Sequence, residues 1–147
     1  MLATDDMLTL AKTSRYGFDA QLSWSPAAPQ QGQQTYFIIE FIDADDGGYK
    51  QHVDFVLRLE NVSDGSVMHR YSKHSTQGLE FDKYTFVQQG EVKAELEVYA
   101  VDFIPVDPDI LKFDMMIVVV PEFHLPVIAA TTGIVVVLLL LLRYKPE

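Results

Sequence analysis

The chain has 147 residues, no cysteine, and 21 acidic against 11 basic residues, which gives a formal net charge of −10. This charge argues against a nucleic-acid partner, because phosphate binding needs a basic patch. The missing cysteine excludes disulfides, zinc–thiolate sites, thiol nucleophiles and the thiolate of a blue-copper centre.

Residues 1–14 are predicted to form an N-terminal arm, because their apolar pattern is weak. Asp5 and Asp6 stand where a signal peptide would have a positively charged region. Either a signal has been removed, or the start lies elsewhere, or the chain is inserted into a membrane by its C-terminal tail.

Residues 15–120 are predicted to form a mainly β domain. Apolar and polar positions alternate in short runs that Pro, Gly and Asp turns separate, with no helical periodicity between them. Seven such runs favour an immunoglobulin-like or cupredoxin-like antiparallel sandwich. The predicted strands are Tyr16–Trp24, Thr35–Asp43, Val53–Asn61, Val67–Tyr71, Leu79–Val87, Val92–Val101 and Lys112–Val120.

The sequences of two of these strands also indicate which of their faces are buried. Thr35–Asp43 is apolar on both faces, which is typical of a central strand. Val92–Val101 alternates cleanly, with Lys93, Glu95 and Glu97 on one side, so one face of its sheet is expected to meet water.

An acidic loop follows the second predicted strand. Asp43, Asp45 and Asp46 are hard oxygen ligands beside a flexible turn, and Gly48 and Asp54 fall at positions six and twelve of a calcium loop counted from Asp43. A glycine occupies one ligand position, however, and the last position holds Asp instead of Glu. A solvated hairpin loop is therefore preferred over a calcium site.

The histidines supply a second candidate metal site. His52, His69 and His74 lie in or beside predicted strands, and Met68 adjoins His69, so the loops of a sandwich could assemble them around copper. Their spacing matches no ligand signature, and scattered surface histidines are the alternative. Copper is the one cofactor that these residues suggest.

Asn61 begins an Asn-Val-Ser triplet, which is an N-glycosylation sequence in a predicted turn. Catalysis by this chain alone is not expected. The sequence has no nucleophile elbow with a Ser/His/Asp set and no phosphate-binding glycine loop.

The tail is predicted to cross a membrane. The 18 residues from Leu125 to Leu142 carry no charge, and as a helix they would span about 27 Å, close to the thickness of a hydrocarbon core. Pro126 suits the first turn of a helix. The small residues up to Gly133 suit close helix packing. Residues 121–126 are assigned as a linker and residues 127–142 as the span.

Arg143 and Lys145 set the expected orientation of the chain. They follow the span directly, in residues 143–147, while an acidic domain precedes it. By the positive-inside rule the C-terminus is cytoplasmic and the domain lies outside the cell membrane.

The segment "VVVPEFHLP", the apolar run and the "RYK" end resemble the PEF-type C-terminal tails of archaeal surface proteins. The preceding stretch, with "YTF" and "F-x-P" before the last predicted strand, is similar to sandwich domains of ammonia-oxidising archaea. The match departs at His124, where Gly or Pro more often follows Pro-Glu-Phe. The resemblance implies a single-pass extracytoplasmic protein, and one setting is an accessory subunit of archaeal ammonia monooxygenase.

Three functions are compatible with these features. The first is a structural or accessory subunit whose partners are the lipid bilayer and other membrane-protein subunits. The second is a copper-binding or copper-delivery domain that uses His52, His69, His74 and Met68. The third is a cell-surface envelope or adhesion protein.

Overall fold

A computed structural model describes residues 7–114 of the chain, and within this range it is mainly β with no helix. The described residues form eight strands. They are β1 Leu8–Thr13, β2 Phe18–Ser25, β3 Gln34–Asp43, β4 Val53–Asn61, β5 Val67–Ser75, β6 Leu79–Thr85, β7 Val92–Val101 and β8 Ile104–Phe113.

The strands make two antiparallel sheets of four. The first has the order β1-β2-β3-β6, and the second has the order β5-β4-β7-β8. Their inner faces share one hydrophobic core, in which Phe41 of β3 packs on Phe55 of β4 with ring centroids 5.1 Å apart. The architecture is therefore a β-sandwich, as the alternating pattern predicted.

Strands β4 and β7 have the bounds that the sequence predicted. On β4, alternate residues from Val53 to Leu59 are fully buried, because successive side chains of a strand point to opposite faces. On β7, Val92, Ala94 and Leu96 are buried in the same way. Strict alternation over nine or ten residues made these two strands predictable.

The N-terminal region differs from its prediction. Leu8–Thr13, predicted as part of an arm, is β1 and pairs with β2 from Leu8↔Trp24 to Thr13↔Asp19. Leu10 packs against the core, and the Thr9 and Ser23 hydroxyls are hydrogen-bonded at 2.8 Å. Most of the strand is exposed at the edge of the sheet, so its sequence lacks a strong apolar pattern.

The last described strand also differs. It begins at Ile104, whereas the last predicted strand begins at Lys112. Pro105 and Pro108 concealed it, because proline is usual in a strand only at an edge or a bulge. Strand β8 is an edge strand, and its register with β7 shifts between Val98 and Ala100.

Charged side chains point inward where the edge strands β5 and β6 of the two sheets face each other. Lys73 Nζ lies 2.6 Å from Glu80 Oε2, and His69 Nε2 lies 2.6 Å from Asp82 Oδ2. Inward charges at an edge disfavour pairing with another strand. These two contacts link β5 of one sheet to β6 of the other.

Candidate functional site

His52 and His74 meet at the end of the second sheet. His52 directly precedes β4, and His74 lies near the end of β5, opposite Asp54 in the strand register. His52 Nδ1 is 3.3 Å from His74 Nε2, and the two rings stack with centroids 5.4 Å apart. We call His52, Asp54, His74, Asp102 and Phe103 the histidine cluster.

Asp54 fixes the orientation of one of the two rings. Its Oδ1 lies 2.8 Å from His74 Nδ1. A carboxylate accepts hydrogen bonds, so in the neutral ring this contact places the proton on Nδ1 and leaves a lone pair on Nε2. The lone pair of His74 therefore faces His52.

The turn between β7 and β8 covers the two histidines. The Asp102 N–H donates to the His52 carbonyl at 2.9 Å. The Phe103 ring lies 4.2 Å from the His52 ring and 5.3 Å from the His74 ring, centroid to centroid. Phe103 is itself 66% exposed, so much of its ring meets solvent while it packs on the two histidines.

Backbone strain is concentrated in this cluster. His52, Asp102 and Phe103 have φ of 54°, 52° and 63°, and they are the non-glycine residues with positive φ among residues 7–114. Such conformations are uncommon for residues with a Cβ and are maintained by the surrounding structure. They often occur at functional sites.

Lys50 connects the cluster to the acidic loop. Its Nζ lies 3.1 Å from Asp102 Oδ2 and 3.6 Å from Asp43 Oδ2. The hydrogen bond to Asp102, together with both negative charges, raises the pKa of Lys50 despite some desolvation. Lys50 therefore stays protonated and fixes the turn that carries Phe103.

His69 and Met68 lie near the opposite end of β5. His69 pairs with Asp82 and stacks on Tyr84 with ring centroids 4.8 Å apart, whereas Met68 packs against the core. The four predicted copper ligands therefore do not form one site. The structure brings His52 and His74 together and separates His69 and Met68 from them.

Within residues 7–114, no group of three or more His, Cys, Asp or Glu side chains is arranged to hold a metal ion. Two of the predicted calcium ligands accept hydrogen bonds from backbone N–H groups of their own turn. Asp43 Oδ1 accepts from the Asp45 N–H at 3.0 Å, and Asp46 Oδ1 accepts from the Gly48 N–H at 2.8 Å. The Ile42–Tyr49 bridge closes this turn as a local hairpin, although the loop as a whole connects β3 of one sheet to β4 of the other.

Asn61, the predicted glycosylation residue, ends β4 and is only 7% exposed. Its Oδ1 accepts from the Ser63 N–H and hydroxyl, at 2.9 and 2.7 Å, and its Nδ2 donates to Gln88 Oε1 at 3.3 Å. In the folded domain the amide thus stabilises the turn after β4.

A second feature is the apolar outer surface of the first sheet. We call Tyr36, Ile38, Ile42, Leu79 and Phe81 the apolar face. Tyr36 is 48% and Phe81 64% exposed, and Ile38 is opposite Phe81 in the pairing of β3 with β6. The central strand was thus predicted correctly, and among its outward side chains Tyr36 is exposed whereas Ile38 and Ile42 are partly buried.

The outer surface of the second sheet is charged instead. Glu95 lies 3.4 Å from Arg58, 3.2 Å from Lys93 and 3.8 Å from Lys112, and Arg58 also pairs with Glu97 at 2.8 Å. This is the wet face that the alternation of β7 predicted. The apolar residues of the outer surface are therefore concentrated on β3 and β6 of the first sheet, beside the polar outward side chains of β2.

Three members of the histidine cluster, Asp54, Asp102 and Phe103, were not identified as functional from the sequence. Asp54 was considered only as a calcium-loop position, although His-x-Asp before a strand is a signal for a carboxylate near an imidazole. Phe103 offered a weaker signal, an aromatic residue in a turn between two apolar strands. The strand register decides that Asp54 and Phe103 lie beside His74.

Comparison with known families and curated proteins finds no family model and no curated protein that matches this chain. In residues 7–114 no helix is long and apolar enough to cross a membrane. The predicted span and its residues Pro126, Gly133, Arg143 and Lys145 lie outside the described residues.

Proposed function

We propose that this protein is a non-catalytic accessory subunit of a membrane complex. Its sandwich is held at the outer face of the cell membrane by the C-terminal span, and the apolar face packs against another subunit. The resemblance of the tail suggests archaeal ammonia monooxygenase as the candidate complex. The observation that carries the proposal is the apolar face of β3 and β6, which Glu40 interrupts, on an acidic protein.

The apolar face differs from ordinary exposed hydrophobic residues because its members are neighbours on β3 and β6. Single exposed hydrophobic residues are normal, whereas a continuous apolar patch marks an interaction surface. Here Ile38 and Phe81 are direct cross-strand partners, and Leu79 follows two residues from Phe81 on the same side of β6. Water contact along β3 and β6 is therefore unfavourable, and burial against a partner would remove it.

The expected occupant is a protein subunit in the same membrane, because the tail is predicted to hold the domain at the membrane surface. The complementary surface on that subunit should be apolar at its centre, since the patch offers aromatic and aliphatic groups. It should also present a basic group to Glu40, which lies between Ile38 and Ile42 on the same side of β3, and the net charge of −10 favours a basic partner.

For the fold we propose the immunoglobulin-like alternative over the cupredoxin-like one. From β2 onward, the strands β2-β3-β6 face β5-β4-β7-β8, all antiparallel. A three-stranded sheet packed on a four-stranded one supports an immunoglobulin-like sandwich, although β5 pairs with β4 here and would pair with β6 in the constant-type order. Strand β1 is then an added edge strand, and such domains commonly serve in recognition.

Site-specific photo-crosslinking in native membranes tests the proposal. Phe81 is replaced by p-benzoylphenylalanine in the full chain, which keeps an aromatic group on the apolar face. Tyr99 of the second sheet, 39% exposed, is replaced in the same way as the matched control. We expect a discrete product with another membrane subunit from position 81 and none from position 99.

Gentle solubilisation gives a second measurement. The wild-type chain should co-migrate with other subunits, and Phe81→Ser should release it without changing its unfolding midpoint. Migration of the wild-type chain alone would overturn the proposal. So would crosslinks from position 81 that join only two copies of this chain or join it to its own tail.

A further inference from the structure

We infer that His52 and His74 form a two-imidazole binding site for a late first-row transition-metal ion, either Cu²⁺ or Zn²⁺. The inference does not depend on the accessory-subunit proposal, because the histidine cluster and the apolar face lie on different sheets. It narrows the candidate ligands to two histidines and leaves out His69 and Met68.

The separation of the two ring nitrogens fits a shared ion. Two nitrogen ligands at about 2.0–2.1 Å stand roughly 3.3 Å apart around tetrahedral Zn²⁺ and roughly 2.9 Å apart at adjacent positions of tetragonal Cu²⁺, so the rings need to approach slightly for Cu²⁺. His52 Nδ1 and His74 Nε2 are separated by 3.3 Å. This contact is longer than a usual hydrogen bond, so an ion that replaces it removes little stabilisation.

The protonation pattern also fits. Asp54 holds the proton of His74 on Nδ1, which leaves Nε2 to coordinate. Without an ion, the His52 Nδ1–H donates to the lone pair of His74 Nε2, so ion binding requires the other neutral tautomer of His52, with its proton on Nε2 and Nδ1 free to coordinate. Asp54 is thus a positioning residue, and both ligating nitrogens are available in neutral rings.

The backbone around the pair is preorganised. His52 is held with φ of 54° by the hydrogen bond from Asp102, and Phe103 packs on both rings. Rings that are already positioned lose less freedom when the ion binds.

The ligand set selects the class of ion. Imidazole suits Cu²⁺ and Zn²⁺, whereas Mg²⁺ and Ca²⁺ prefer oxygen ligands. At a given nitrogen site Cu²⁺ binds more tightly than Zn²⁺. We therefore expect the order Cu²⁺, then Zn²⁺, with no binding of Mg²⁺ at this site.

Equilibrium dialysis of the full chain in detergent, without a polyhistidine tag, tests this order with Cu²⁺, Zn²⁺ and Mg²⁺ as separate probes. We expect one tightly bound Cu²⁺ per chain, displaced by excess competing chelator. His52→Ala and His74→Ala should each abolish the tight site. Asp54→Ala should weaken it by about 10- to 100-fold, the usual cost of losing a carboxylate that orients a ligating histidine.

His69→Ala is the matched control, because His69 is also partly buried and also contacts a carboxylate. It should leave Cu²⁺ affinity unchanged. An equal loss of affinity in His69→Ala, or unchanged affinity in both His52→Ala and His74→Ala, would overturn the inference.

A measurement on the wild-type chain avoids any folding defect of the variants. With ¹⁵N-labelled histidine, the electron paramagnetic resonance spectrum of bound Cu²⁺ should show coupling to two imidazole nitrogens. Coupling to one nitrogen or to none would overturn the two-imidazole site.

Discussion

The His69 Nε2 atom lies 2.6 Å from Asp82 Oδ2 and joins β5 of one sheet to β6 of the other. Only 9% of the Asp82 side chain is exposed. A charge-assisted hydrogen bond in so little water is stronger than a surface ion pair. This contact and Lys73–Glu80 hold together the open side of the sandwich.

Replacing Asp82 by Ala should therefore destabilise the domain. We expect a loss of about 1–3 kcal/mol in the free energy of unfolding, because the imidazole loses its acceptor in a mostly buried place. Urea denaturation of wild type and Asp82→Ala measures this loss. Glu60→Gln, at the longer contact of 3.7 Å to Lys93, is the control and should change stability by less than about 0.5 kcal/mol. Equal effects would show that the Asp82 contact is no stronger than a surface pair.

Alanine substitutions at Gly78 and Gly65 distinguish the cost of a steric clash from the cost of a positive φ. Both have positive φ, 75° and 69°. A Cβ on Gly78 would lie 2.5 Å from the Lys50 carbonyl oxygen, whereas a Cβ on Gly65 meets nothing within 4 Å. Gly65→Ala should lower the free energy of unfolding by about 1–2 kcal/mol because of φ alone. Gly78→Ala should lower it clearly more, because the clash is added. Thermal unfolding of the two variants measures both losses. A smaller cost at Gly78 would contradict the close packing of its loop on Lys50.

Phe41 links the two sheets through the core. Its ring packs on Phe18 of its own sheet at 5.7 Å and on Phe55 of the other at 5.1 Å, and it is fully buried. Phe41→Ala should lower the free energy of unfolding by about 3–5 kcal/mol through lost burial and the cavity left behind. Val62→Ala, on a side chain 53% exposed, is the control and should change it by less than about 0.5 kcal/mol.

Tyr84 should make the domain sensitive to alkali. Burial against neighbouring rings raises the pKa of Tyr84, so above about pH 10 the unfolded chain releases a proton that the folded chain still holds. The contribution of Tyr84 is present below that pH and is lost as the pH rises through the folded pKa. Urea denaturation between about pH 9 and 11 should show a shallower decline in Tyr84→Phe than in wild type. Identical slopes would contradict the prediction.

Local patterning predicted more of the fold than of the candidate site. Strict alternation fixed both ends of β4 and β7, and the glycines and aspartates of the acidic loop predicted its turn. Strand β8 was misplaced, because Pro105 and Pro108 imitate a loop and only the pairing with β7 shows that they lie in an edge strand. His52 and His74 were named as candidates, but nothing in their spacing distinguished them from His69.

The sequence by itself determined the β class and the inward residues of the central strands. Side chains of a strand point alternately to its two faces, so a half-buried strand shows alternating apolar and polar residues in its sequence. Tertiary structure alone decided which strands become edges, which side of β3 faces outward, and that His52 meets His74 across 22 residues of chain. These relations depend on strand order and register, which arise from pairing between segments distant in sequence. No local pattern encodes them.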